Sequence, residues 1–244
     1  MDGLPIWAPV LIFIVAMLYS SVGHGGASGY LAVLSLLAIS RTQMATTALV
    51  LNILVAGIAC LSFHRSKHFS LSLTWPFILL SIPGALLGSA IHVPESTYSL
   101  LLAFALIVAA VRLSGLLNPL MRKENLRPLR LPAAMPLGGV IGLVSGIVGI
   151  GGGIFLSPVM LLAGWANVKQ VAATSACFIV VNSIAGLATR VVCHNADFGI
   201  SPVFPLAGLA GGLLGSSLGA RTCSSPALRR ILAAVLVTAA FKLL

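Results

Sequence analysis

The chain has 244 residues, 59% of them hydrophobic and 7% charged, with a mean hydropathy of +1.10 and a formal charge of +10. A soluble domain covers its surface with roughly a quarter charged residues, so this composition excludes a water-soluble globular protein. It also excludes a nucleic-acid module, because the basic residues lie between apolar runs and do not gather on one solvated face.

Ten apolar segments follow one another, at about residues 4–22, 27–40, 43–63, 71–92, 97–117, 132–148, 153–166, 170–189, 199–219 and 226–244. Runs of roughly 17 to 25 apolar residues cross about 30 Å of hydrocarbon as helices, which predicts an all-α integral membrane protein. Asp2 stands where a secretory signal would carry positive charge and no small-residue cleavage site follows, so the first segment is expected to be a retained span. The second and seventh segments, at about 14 residues, reach only about 21 Å. They are expected to be short, tilted or re-entrant.

The two halves repeat. Gly23-His24-Gly25-Gly26 corresponds to Gly149-Ile150-Gly151-Gly152, Ala45-Thr46-Thr47-Ala48 to Ala173-Thr174-Ser175-Ala176, and Gly84 to Ser89 to Gly211 to Ser216, all at nearly constant offset. A first repeat at 1–120, a basic linker at 121–131 and a second repeat at 132–244 follow from this. The linker holds Arg122, Lys123, Arg127 and Arg130, so the positive-inside rule puts it in the cytoplasm. Five segments on either side then bring Arg65, Lys67, Arg112, Lys169, Arg221, Arg229 and Arg230 to the same face, leaving Arg41, Arg190 and Lys242 opposite. Because five is odd, the second repeat is inverted relative to the first.

The Gly-rich breaks carry most of the chemistry. An interrupted helix in hydrocarbon leaves backbone groups unpaired at several kcal/mol each, so such a break survives only where protein or a water-filled cavity satisfies it. Glycine permits the turn and a close approach of ligand to backbone, and the helix beyond aims N–H groups and a positive dipole end inward. Two such starts meeting near the midplane predict an anion site built from Gly23, His24, Gly25, Gly26, Gly149, Gly151, Gly152 and Gly153. The competing reading is that the glycines only pack helices closely, which is the expected role of Gly84/Gly88, Gly142/Gly146 and Gly208/Gly212. A dinucleotide fingerprint is excluded by Ser28 and Ile154 at its third glycine position.

His24, matched by Ile150 in the second break, could hold substrate as a cation, take a coupling proton or bond to a nearby carbonyl. Thr46, Thr47, Thr174 and Ser175 are expected to begin their helices, as caps or as donors to the anion. Asn52 and Asn182 do not superpose in the repeat and read as interhelical hydrogen bonders. Asp2, Glu95, Glu124 and Asp197 fall in loops or at the terminus, and Cys60, Cys177, Cys193 and Cys223 are scattered singly. Neither a catalytic constellation nor a metal or cofactor site is therefore expected.

Gly149-Ile150-Gly151-Gly152-Gly153, with Pro158 beyond it and Ala173-Thr174-Ser175 further on, resembles the TauE/SafE family, also called the 4-toluene sulfonate uptake permease family. The resemblance implies a transporter of sulfite, sulfonates or related organosulfur anions in bacterial inner membranes. The first half departs from the pattern, with His24 inside the break, Ala27 for its last glycine and Ala32 where the second half has Pro158. Expected partners are a small anion and the bilayer, with a coupling proton or sodium ion and a homodimer left open. An anion channel of the same architecture and a non-transporting scaffold are the alternatives.

Overall fold

The computed structural model describes residues 5–37, 39–91, 93–116, 126–193, 198–199, 201–221, 237 and 240–241. Most of the tenth apolar segment and residues 121–125 of the linker, with Asp2, Arg122, Lys123, Glu124, Asp197, Cys223, Arg229, Arg230 and Lys242, lie outside the described residues. The elements among the described residues are helical: α1 (Trp7–Ser20), α2 (Ala27–Leu34), α3 (Arg41–Arg65), α4 (Leu71–Ala90), α5 (Glu95–Ser114), α6 (Leu131–Val148), α7 (Gly153–Ala163), α8 (Val168–Cys193) and α9 (Val203–Arg221).

Among the described residues, four segments are long and apolar enough to cross a membrane, Thr42–Arg65, Leu71–Ala90, Leu131–Val148 and Val168–Cys193. At 14 residues, α1 is shorter than the expected full span and reaches only about 21 Å. Leu71, Leu87, Leu100, Val140, Leu206 and Leu213 are exposed, so the outer surface is apolar where a soluble bundle would be charged.

The helices that begin after the short segments carry caps that the repeat did not single out. Ser40 accepts the Gln43 N–H at 3.2 Å ahead of α3. Ahead of α8, Asn167 Oδ1 accepts from Lys169 N and Gln170 N at 3.1 and 3.0 Å, while Gln170 Oε1 accepts from Asn167 N at 3.1 Å. This reciprocal box satisfies three donors that a helix start leaves orphaned. Thr46, Thr47, Thr174 and Ser175 therefore lie in the second turn, one turn too late to cap.

Small residues set the tightest helix pairs. Gly84 and Gly88 of α4 meet the backbone of Gly139 and Leu143, while Gly138, Gly142 and Gly146 of α6 meet that of Phe77, Ser81 and Ala85. The two helices run parallel, and the Ser89 hydroxyl donates to the Gly146 carbonyl at 3.1 Å. The parallel pair α1–α9 is built the same way. Its close approach comes from Gly211, Gly215 and Gly219 against Phe13, Met17 and Ser21, whereas Gly208 and Gly212 face the side chains of Leu51 and Val55 on α3.

These contacts order the bundle from end to end. Starts of α1, α3 and α9 share one end, where Gln43 Nε2 donates to the Gly199 carbonyl at 2.7 Å. Starts of α4 and α8 share the other with that of α6. There the Thr74 and Thr174 hydroxyls meet at 3.2 Å, and the Arg127 N–H, just before α6, reaches the Gly164 carbonyl after α7 at 2.8 Å. Helix α7 thus returns to the end from which α6 came. Helix α2 likewise runs back beside α1, Gly29 against Val15 and Tyr19, and leads to the start of α3. The short helices re-enter, one hairpin from each end.

Candidate functional site

The two breaks are buried from Gly23 to Tyr30 and from Val148 to Ile154. Gly26 caps α2 with φ 99° and Gly152 caps α7 with φ 77°, both left-handed turns that a Cβ would strain by about 1–2 kcal/mol. Turned this way, the first break sets the start of α2 against Asn52 of α3, and the second sets the start of α7 against Ile179 of α8. The first-turn N–H groups of α2 and α7 have no partner inside their own helices.

Asn52, fully buried near the middle of α3, joins the breaks. Its Oδ1 accepts from the Ala27 N–H at 3.0 Å, the first donor of α2. Its Nδ2 donates to the Ile150 carbonyl at 3.2 Å, inside the second break, and to the Ser183 hydroxyl of α8 at 3.3 Å. A backbone N–H can only donate and a carbonyl can only accept, so these contacts fix which way the amide points. Gly25 and Gly151 are needed here because a Cβ on either would overlap the Asn52 side chain. The close approach these two glycines permit is to Asn52, a different partner from the ligand the sequence pointed to.

His24 anchors a second network. Its Nδ1 lies 3.0 Å from the Val22 carbonyl, which requires a proton on Nδ1. In the neutral ring Nε2 is then an acceptor, and the Ser157 hydroxyl of α7 at 3.1 Å donates to it. Ser157 in turn lies 2.7 Å from the Ser175 hydroxyl of α8. The order of donation is therefore Ser175 to Ser157 to His24. A second proton on the ring would reverse it, because Nε2–H must then donate to Ser157.

Between these networks lies a small cavity lined by Tyr19, His24, Gly26, Ala27, Ser28, Ile150, Ile154 and Ile179, with room for about one water molecule. The Tyr19 hydroxyl lies 2.8 Å from that of Ser28 and its ring meets His24 edge-on. Pro158 has no N–H, so the carbonyl of Ile154 beside the cavity lacks its helical donor. The Tyr30 hydroxyl, packed near Gly26, is buried without a hydrogen-bond partner.

The family described as sulfite exporter TauE/SafE matches residues 8–243. The chain belongs to the TauE/SafE family of membrane transporters. It is 36% identical over 249 residues to the probable membrane transporter protein y4hK of Sinorhizobium fredii (strain NBRC 101917 / NGR234), covering 100% of both chains. No solved structure matches.

In this TauE/SafE chain the structure gathers only part of the residues named from sequence. His24 and Gly26 line the cavity, Gly25 and Gly151 meet at Asn52, and Gly153 packs on Ile179. Gly23 sits on the backbone of Ala172 in α8, and Gly149 against Ala45 in α3. Thr46 and Thr47 donate to the carbonyls of Thr42 and Gln43, both at 2.7 Å, so their protons are used within α3. Thr174 is paired with Thr74, and Ser175 alone of the four hydroxyls joins the His24 network. The interhelical reading holds for Asn52 but not for Asn182, whose Nδ2 donates to Phe178 of its own helix at 2.9 Å while its Oδ1 is buried and unpaired. Ser157 and Ser183 were not singled out. Their signal was a hydroxyl inside an apolar helix, in Ser157 directly ahead of Pro158.

Proposed function

We propose that this chain moves a small oxyanion, sulfite or an organosulfonate, across the bacterial inner membrane by alternating access around the cavity between the two breaks. The observation that carries the reading is the meeting of two hairpins, entering from opposite ends, on one buried amide. An oxyanion suits that meeting point because backbone N–H groups, hydroxyls and an imidazole can donate to it without a buried Lys or Arg at the centre. The family's description as a sulfite exporter supports the substrate class.

An inverted duplication is supported by the pairings: α1 packs on α9 as α6 packs on α4, and Gly23 meets α8 as Gly149 meets α3. The sidedness is supported by Arg65, Lys67, Arg127, Arg130 and Lys169, which belong to the end where α6 starts and make it cytoplasmic. Labelling of Lys67→Cys from the outer face alone would reverse that orientation.

A cavity for about one water is too small for sulfite, so this is a closed form. Opening to either side requires one hairpin to move relative to Asn52, which frees for the anion either the Ala27 N–H that Oδ1 holds or the Nδ2 donor that holds Ile150. His24 is the proton acceptor that couples to this exchange. Flux of radiolabelled sulfite and sulfoacetate into proteoliposomes tests the reading, with thermal unfolding in sulfite, sulfate, thiosulfate, taurine and sulfoacetate beside it. Saturable flux, accumulation against a gradient and stabilisation by one of these anions are expected. Unsaturable flux without accumulation would mean a channel, and no response to any of them would overturn the reading.

A further inference from the structure

Arg190 lies in the last turn of α8, at the end of the bundle where α3 begins. Its Nη2 sits against the turn of the second break, 3.7 Å from where a Cβ on Gly149 would stand. Its Nε is buried with no hydrogen-bond partner, while the side chain as a whole is half-buried. The Tyr98 hydroxyl of α5 is directed to the Val148 carbonyl, next to Gly149, at 3.4 Å. Burying a donor without a partner costs about 1–3 kcal/mol, so a fold that does this at Nε has left that N–H for something else.

A structural reading is available, since a cation is favoured beside the C-terminus of α6. That reading explains the position of the charge but leaves the buried Nε–H unused. Gly149 is followed directly by Ile150, which lines the cavity and is bonded to Asn52. Along α8, Arg190 stands seven residues, about 10 Å, from Ser183, the other partner of Asn52. The cation thus marks the way from one end of the bundle to the central cavity. At the corresponding position of α3, by the Thr46–Thr174 offset, stands Ser62, whose hydroxyl is bonded to Ser216. The second half thus has a cation at the place where the first half has a hydroxyl.

We propose that Arg190 is the recruiting and orienting cation for the oxyanion on that route, taking two of its oxygens on the guanidinium fork before the anion passes to the cavity. The inference rests on the anion-transport reading and adds a residue to it. A guanidinium presents paired donors that match two oxygens of a sulfite or sulfonate, whereas an ammonium supplies a point charge. The commitment is to oxyanions with two free oxygens, so chloride should not compete effectively.

The test is concentration-dependent uptake of radiolabelled sulfite and sulfoacetate by proteoliposomes carrying wild type, Arg190→Lys or Arg190→Gln. Loss of the charge-assisted bonds predicts a KM raised roughly 10-fold to 150-fold in Arg190→Gln, a smaller rise in Arg190→Lys, and a maximal rate within about threefold of wild type. An unchanged KM in Arg190→Gln, with wild type transporting, overturns the inference and leaves the transport reading standing. No saturable uptake by wild type overturns the transport reading first. Should Arg190→Gln not fold, phenylglyoxal modification of wild type decides, read on the peptide containing Arg190. Protection by an excess of sulfoacetate, which does not react with the reagent, and not by the same concentration of chloride supports the inference, and equal modification in both overturns it.

Discussion

The first and second breaks share a backbone plan and differ in chemistry. Both turn through left-handed glycines into a short helix, and both press a glycine on Asn52. The first carries His24, whose side chain reaches across to Ser157 and Ser175 of the second half. The second carries Ile150 at the matching place and is held through its backbone carbonyl, with three left-handed glycines, Gly149, Gly151 and Gly152, against two, Gly23 and Gly26. Under the anion-transport proposal one set of titratable partners suffices for a small anion, which casts the first break as the adjustable side and the second as the stiff one. Arg190, which stands against the stiff break only, extends the asymmetry.

Breaking the shared pivot should have the largest effect. Asn52→Ala leaves the Ala27 N–H and the Ile150 carbonyl buried without partners, each worth about 1–3 kcal/mol, and so destabilises by about 2–6 kcal/mol. Thermal unfolding in detergent should show this, and sulfite flux should disappear. Asn182→Ala is the control in the same apolar surroundings. Its Oδ1 is already unpaired and its Nδ2 serves only its own helix, so the expected cost is under about 1 kcal/mol. Equal losses in the two variants would remove Asn52 from the centre of the argument.

The next comparison separates the stiff break from the adjustable one. Gly25→Ala drives a Cβ into the Asn52 amide, the tighter of the two overlaps, whereas Gly151→Ala adds left-handed strain of about 1–2 kcal/mol to looser overlaps with Asn52 and Ser183. Asn52→Ala should therefore relieve Gly25→Ala more than Gly151→Ala in thermal unfolding of the double variants. Equal relief would mean that the turn geometry of the second break is not what its glycine protects.

His24 provides the functional counterpart. Wild-type flux should rise as pH falls through the imidazole range, roughly pH 8 to 5, because only the protonated ring brings a positive charge to the anion. His24→Gln should flatten that profile while the protein stays folded. Ser157→Ala should keep a pH dependence but move its midpoint, since it removes the partner of Nε2 in both protonation states. An unchanged profile in both variants would return His24 to a packing role.

Helix positions and breaks could be read from sequence because they depend on local rules: run length against hydrocarbon thickness, and glycine where the backbone must turn. The caps at Ser40 and Asn167 obeyed equally local rules, but the repeat drew attention to the hydroxyls one turn later. Partnerships were harder. Asn52 meets Ala27 across 25 residues, Ile150 across 98 and Ser183 across 131, and nothing in a single sequence ties these positions. Symmetry itself misdirected the reading of Asn52, which has no counterpart in the repeat and was left out of the site. His24 has none either, but an ionisable group inside a break drew attention by itself.

The smallest predicted effect separates hydroxyls that a motif treats as equivalent. Thr47 and Ser175 stand at corresponding places in the repeat, both fully or nearly fully buried, and both invite the role of anion donor. Thr47 Oγ1 gives its proton to the Gln43 carbonyl four residues earlier, a bond made inside one helix that an anion in the cavity would not disturb. Ser175 gives its proton to Ser157, which holds the imidazole of His24, so its loss reaches the cavity wall. Ser175→Ala removes one neutral hydrogen bond, about 0.5–1.5 kcal/mol, and should weaken sulfite binding roughly 2-fold to 12-fold. Thr47→Ala should change it by less than about 2-fold, because the carbonyl it releases keeps its own helical bond. Isothermal titration with sulfite on the two purified variants reads both numbers. If Thr47→Ala weakened binding more than Ser175→Ala, the anion would have to sit against α3 near its start, outside the cavity between the breaks.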